Sequence, residues 1–98
     1  MARYDVYPGA PGRGLLLDCQ ADVLDHLASR VVVPLMPTAK VEPIPRLNPL
    51  LTVNGQTLVM ATHLIFAIPF ERLQRPVANL EAEHYAIMGA LDMLTTGF

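Results

Sequence analysis

Side chains able to do acid–base, nucleophilic or metal chemistry are few in this 98-residue chain, and thinly spread. Asp22, Asp25 and His26 fall within five residues. Their spacing matches no metal-binding motif and no second ligand cluster stands nearby, so a solvated polar turn accounts for them. Cys19 is the lone thiol, with His26, His63 and His84 as available bases for a Cys–His pair. It stands beside leucines at an inward-looking strand position, where cysteine behaves as a small hydrophobe, so the reading is a structural thiol. His84 lies inside an apolar helical stripe, as a satisfied core or interface histidine does. Gly9-Ala10-Pro11-Gly12 has no lysine and no strand–loop–helix setting, so it is not a phosphate loop. No carboxylates pair up for acid–base work. These residues point to no metal and no cofactor. What remains is Thr95-Thr96-Gly97-Phe98, which puts a large aromatic beyond a helix stop. Such a residue either folds back onto the body or awaits a partner; read as the recognition tip, it makes Phe98 the anchor, with Asp92 one turn behind Thr96.

The elements that hold these residues divide into a strand-rich body and a helical tail. Nine prolines lie between residues 8 and 76, which excludes a long helix there. Residues 3–7 alternate, with Tyr4 and Val6 on one face and Arg3, Asp5 and Tyr7 on the other. A turn cluster over 8–14 leads into a returning strand, Leu15 to Cys19, whose Leu15, Leu17 and Cys19 share the core face. Asp22 to Ser29 reads as a turn with a short helical piece. Val31-Val32-Val33-Pro34-Leu35 is strand-like because its β-branched residues stiffen the extended chain, while Pro34 argues for an edge, a bulge or a strand end. Residues 37–46 read as a loop or a small accessory hairpin. Asn54-Gly55 between two apolar runs predicts a type I′ hairpin, and Leu64 to Phe70 one more strand, interrupted at Pro69. From Val77 the period becomes helical: Val77, Leu80, His84, Ile87, Leu91 and Leu94 form a stripe that Tyr85 and Met88 widen. Asn79 is the expected N-cap and Gly97 the C-terminal stop. The pattern predicts a mainly β chain with one C-terminal α-helix packed on a small barrel-like sheet.

Composition sets the outer bounds. Hydrophobic residues make up 52% of the chain and charged ones 16%, against roughly 25% charged in an average globular protein. Disorder is excluded. A domain of this size buries only about 60–65% of its unfolded surface, so the apolar excess predicts a homodimer. The net charge of −2 gives no basic footprint for nucleic acid or anionic lipid. Arg3, Arg13, Arg30, Arg46, Arg72 and Arg75 are scattered and read as solvated surface. The apolar runs are far too short for a bilayer, and residues 1–5 carry no signal-peptide core. The expectation is one domain, 1–98, in the cytoplasm.

Read in order, Tyr4-Asp5-Val6-Tyr7, Leu17-Asp18-Cys19-Gln20-Ala21-Asp22-Val23-Leu24, Val31-Val32-Val33-Pro34-Leu35, Leu47-Asn48-Pro49-Leu50-Leu51, Met60-Ala61-Thr62, Ile68-Pro69 and a penultimate Gly97 span nearly the whole chain. This order and spacing resembles the CcdB family of plasmid and chromosomal toxins. The resemblance implies an SH3-like β-barrel with an accessory small sheet and a C-terminal helix, working as a homodimer and not as an enzyme. It implies a toxin of plasmid-maintenance type that binds the A subunit of DNA gyrase and traps its cleaved DNA complex. A small antitoxin would neutralise it, and the pair would repress their own operon, with DNA met only through the antitoxin. By resemblance the gyrase-binding residues are Val23, Leu24, Asp92, Thr95, Thr96, Gly97 and Phe98. Thr96 replaces the family's tryptophan, the commonest kind of binding hot spot, which puts gyrase poisoning in question. Two alternatives stand beside it: an endoribonuclease toxin on the same barrel, and a non-toxic module that binds only its antitoxin.

Overall fold

The computed structural model describes residues 2–9 and 14–97. Seven strands alternate with short 3-10 turns and end in one helix: β1 (Asp5–Pro8), β2 (Leu15–Asp18), β3 (Ser29–Pro37), β4 (Leu50–Val53), β5 (Gln56–Met60), β6 (Phe66–Pro69), β7 (Ala78–Asn79) and α1 (His84–Thr96). All pairings are antiparallel, in the order β4-β5-β3-β2-β1-β7, with β6 pairing β3 as well. The mainly β reading with one C-terminal helix therefore holds.

The nine-residue β3 organises the sheet. Along one edge it pairs β2 over Val32–Leu35. Along the other it pairs β6 over Ser29–Val32 and then β5 over Leu35–Pro37. β6 and β7 thus end up at opposite sides of a β6-β3-β2-β1-β7 curl, joined by residues 70–77. That link passes over the end of β1: Arg72, Leu73 and Gln74 line a cleft with Pro8, Gly9, Leu16 and Ile68, and Val77 N–H donates to Val6 C=O. The curl is a nearly closed barrel. β4 and β5 branch from the far half of β3, so the accessory sheet takes the form of a hairpin continuous with the rest.

Two sequence expectations change here. Pro34 is inside a central strand and not at an edge or an end. It lies where β6 has stopped and β5 has not begun, so its missing N–H leaves no ladder bond unmade, while its C=O accepts from Ala61 N–H. The apolar run from Leu64 enters β6 only at Phe66, because Thr62–Leu64 forms a 3-10 turn pinned by Thr62 Oγ1 donating to Leu47 C=O at 2.5 Å. The hairpin expectation holds, with Asn54 and Gly55 at φ 50° and 84°, the two positive values a type I′ turn requires.

One face of the sheet carries Val6, Leu17, Cys19, Val33, Leu35 and Met60, which pack with Ile87 and Ala90 of α1. The helical stripe is narrower than its sequence pattern. Val77 precedes the helix and is exposed, and Tyr85 points outward at 87% exposure. The helix starts only at His84 because β7 takes Ala78 and Asn79 first, so Asn79 is not its N-cap: Glu83 stands there without a side-chain cap, and Asn79 Oδ1 accepts from Glu81 N–H ahead of the intervening turn. Gly97 ends the helix at φ 81° with its N–H on Met93 C=O.

The opposite face holds Tyr7, Leu16, Asp18, Arg30 and Val32, all buried. Arg30 is 1% exposed, so its reading as solvated surface is corrected. Its Nε donates to Asp18 Oδ2 at 2.8 Å, and Asp18 Oδ1 accepts from Gln20 N–H. Burial pushes the Asp18 carboxyl upward against these hydrogen bonds. The pair is internal because register puts Asp18 opposite Val32 and Arg30 opposite Ile68, under the link that closes the barrel. Arg30→Met leaves the carboxylate buried without its cation and should cost about 3–5 kcal/mol. Asp18→Asn with Arg30→Met should recover part of that loss, as urea midpoints would reveal.

Candidate functional site

The strongest clustering of titratable groups lies where β1 begins, at its junction with the turn Glu81–Glu83 and the first residue of α1. A cleft of about 490 Å³ is lined by Ala2, Arg3, Tyr4, Asp22, Asn79, Glu81 and His84. Its floor is Tyr4, which is buried and has φ 72°, a left-handed backbone that is uncommon for an aromatic residue. Such strain costs of order 1–3 kcal/mol and persists where the surroundings over-determine it. Here Tyr4 N–H donates to Asp18 C=O at 2.7 Å and Tyr4 C=O accepts from Leu80 N–H at 2.9 Å.

The Tyr4 hydroxyl meets His84 Nδ1 at 2.5 Å, with the rings edge-on at 5.6 Å. Burial pushes the Tyr4 phenol upward, with Arg3 opposing. A neutral phenol both donates and accepts, so it serves either protonation state of the imidazole and leaves Nε2 as the ring nitrogen to meet a ligand. The Arg3 guanidinium lies over the Tyr4 ring at 4.8 Å, and its Nη2 is 2.7 Å from Met88 Sδ. Among the described residues the ion pair within 4 Å is Asp18–Arg30, so no carboxylate neutralises Arg3 directly. Arg3 N–H donates to Asp22 Oδ1 at 2.8 Å, drawing the 3-10 turn Asp22–Leu24 to the cleft. Glu81 opens the 3-10 turn that runs into the helix and His84 is the first helical residue; both line the cleft. The arrangement offers a carboxylate, an imidazole backed by a neutral phenol, and an unpaired guanidinium.

The other candidates fare differently. Asp25 and His26 lie exposed on the loop before β3, and no group of three or more His, Cys, Asp or Glu able to hold a metal forms among the described residues. His63 Nδ1 is 3.3 Å from Asn48 Nδ2. Cys19 is in the core, and burial pushes its thiol up to about 12, with Asp18 adding to the effect, as befits a structural thiol. Of the residues the resemblance assigned to gyrase, Val23 and Leu24 are exposed on the turn after β2, at 79% and 41%. Asp92, Thr95, Thr96 and Gly97 are exposed at the helix end, where Thr95 and Thr96 donate their hydroxyls back to Leu91 and Asp92 C=O. Arg3 donates its backbone N–H to Asp22, at the start of that turn, and its side chain to Met88 in the middle of the helix. Phe98 lies outside the described residues. Arg3, Tyr4 and Glu81 are site members that the sequence pattern did not reveal. The one signal was a histidine within an apolar stripe, without its partner.

The model of the CcdB protein family matches residues 3–97. No curated protein matches the sequence. In backbone the chain resembles a solved endoribonuclease in complex with its cognate antitoxin from a mycobacterial species, at TM-score 0.79 and 18% identity. That match covers 96% of this chain and 93% of the other. A second mycobacterial endoribonuclease matches at TM-score 0.78 and 19% identity, covering 96% and 89%. The fold is shared. The expectation that the chain is not an enzyme is corrected on this ground: both of these structures of the same fold are described as endoribonucleases, so the fold gives no basis for excluding catalysis.

The buried thiol and phenol also fix a response to alkali. Cys19 moves from an ordinary 9.0 to about 12, and Tyr7 from 10.0 to about 12, burial being the chief cause for both. The unfolded chain therefore releases these protons from about pH 9 upward while the native chain keeps them to about pH 12. Stability from both groups is complete below pH 9 and drains away between pH 9 and 12. Urea midpoints should fall steeply over that window, and Cys19→Ala with Tyr7→Phe should flatten the fall.

Proposed function

Since this chain belongs to the CcdB family of toxin–antitoxin proteins, we propose that it is a toxin that cleaves RNA in the cleft of Arg3, Glu81 and His84. The observation that carries this reading is the convergence of a carboxylate, a phenol-backed imidazole and an unpaired guanidinium in one cleft of about 490 Å³. The description of two structures of this fold as endoribonucleases supports it. In the proposed step the Glu81 carboxylate takes the proton of a ribose 2′-hydroxyl. The 2′-oxygen bonds to the adjacent phosphorus, the bond from phosphorus to the 5′-oxygen breaks, and His84 Nε2 gives that oxygen a proton. The products are a 2′,3′-cyclic phosphate and a 5′-hydroxyl end, so atoms and charges balance without a co-reactant. Tyr4 steadies the imidazole through Nδ1, and Arg3 offsets the charge that builds on the phosphoryl oxygens.

The chain is read further as one domain, 1–98, working as a cytoplasmic homodimer held by an antitoxin, through which the pair meets operator DNA. Sedimentation should give a mass above the 10.7 kDa of one chain. A second reading, gyrase A binding through Val23, Leu24, Asp92, Thr95, Thr96, Gly97 and Phe98, is supported by the exposure of two apolar side chains, Val23 and Leu24, on the turn tied to the helix through Arg3. Incubation with total RNA, and separately with gyrase and supercoiled plasmid, divides the two. Cyclic-phosphate ends are expected on RNA, and Glu81→Gln and His84→Ala should each slow cleavage about 10²- to 10⁴-fold. Intact RNA beside linearised plasmid would overturn the cleavage reading in favour of gyrase.

A further inference from the structure

Among the described residues Tyr85 is the most exposed large apolar side chain, at 87%. It immediately follows His84, and the two rings stand edge to face at 5.1 Å and 72°. An aromatic ring that gains nothing from the core thus stands against His84, a wall of the cleft. The charges around that cleft sharpen its meaning. Arg3 is the one lysine or arginine among its lining residues, against Asp22 and Glu81, and the whole chain carries −2. Affinity for nucleic acid normally comes from neutralising phosphates and releasing their counterions. One permanent cation beside two carboxylates supplies little of that. A strand held here therefore draws on its bases, and stacking on an aromatic ring is a contact that any base can make.

Resting on the RNA-cleaving reading above, we propose that Tyr85 is a stacking platform for the nucleobase beside the cleaved phosphate. The substrate is then an unpaired RNA segment, because a base within a duplex has no free face to offer. Tyr85 is a positioning residue. It anchors the base while Arg3, Glu81 and His84 meet the sugar and phosphate.

The probe is a fluorescent 2′-O-methyl RNA octamer, which cannot be cut through its 2′-oxygen, and an abasic strand with the same backbone. Anisotropy is read for the wild-type chain, Tyr85→Phe and Tyr85→Ala, each checked by circular dichroism. Tyr85→Ala should weaken octamer binding roughly 5- to 150-fold, while Tyr85→Phe keeps it. The abasic strand should bind all three equally weakly. The octamer affinity should fall with salt at a log–log slope of only about −0.7, the value for one phosphate contact on a single strand. Wild-type-like binding by Tyr85→Ala, in a chain that still cleaves RNA, would overturn the platform and leave the cleavage reading standing. A wild-type chain that neither binds the octamer nor cleaves RNA would overturn both.

Discussion

The structure hangs on β3. Its nine residues give β2 one edge and share the other between β6 and β5. Its two faces serve two interiors: Val33 and Leu35 pack toward the helix, Arg30 and Val32 into the barrel. A shorter strand would leave the β4–β5 hairpin without its attachment. A strand with a full set of donors would carry an unmatched N–H at the handover, and Pro34 removes it. Because β5 runs through the 3-10 turn at Thr62 straight into β6, one strand receives both ends of that segment, and the curl closes without a long crossover.

Local chemistry explains what could be read in advance. The Asn54-Gly55 turn, the β-branched run of β3, the Leu15–Leu17–Cys19 face and the Gly97 stop each depend on a few adjacent residues, and each is found. The misreadings depend on register. Arg30 looked like one more surface arginine because nothing nearby in sequence marks Asp18, twelve positions away, as its buried partner. Tyr85 fits a helical stripe on paper, but the helix begins late, and the face that turns inward is carried by Leu80, Ile87 and Ala90.

The candidate site was legible only at His84. Its partner Tyr4 is 80 residues away and reaches it through a left-handed backbone that no alternation pattern encodes. The resemblance drew attention to the helix end and the loop after β2, which are exposed, while the titratable groups gather at the opposite end of the helix, where it starts. Arg3 lines that cleft and also holds Asp22 of the turn after β2 and Met88 in the middle of the helix, contacts that are invisible in a sequence where it is simply the third residue.

Stability and chemistry are kept apart in this chain. The buried ion pair lies inside the barrel, and the strained Tyr4 lies on the face toward the helix, braced by Asp18 C=O and Leu80 N–H. Asp18 belongs to both, since its side chain closes the interior pair and its carbonyl holds the strained backbone. If His84 moves a proton as proposed, the bracing matters because an imidazole that shifts by an ångström loses much of its value in proton transfer. On the reading proposed above, a cleft whose one permanent cation faces two carboxylates is poor at gathering phosphate yet well supplied for moving protons. Affinity must then come largely from contacts that unpaired bases make, so weak electrostatics becomes a source of selectivity: duplexes and generic backbones are given little to hold.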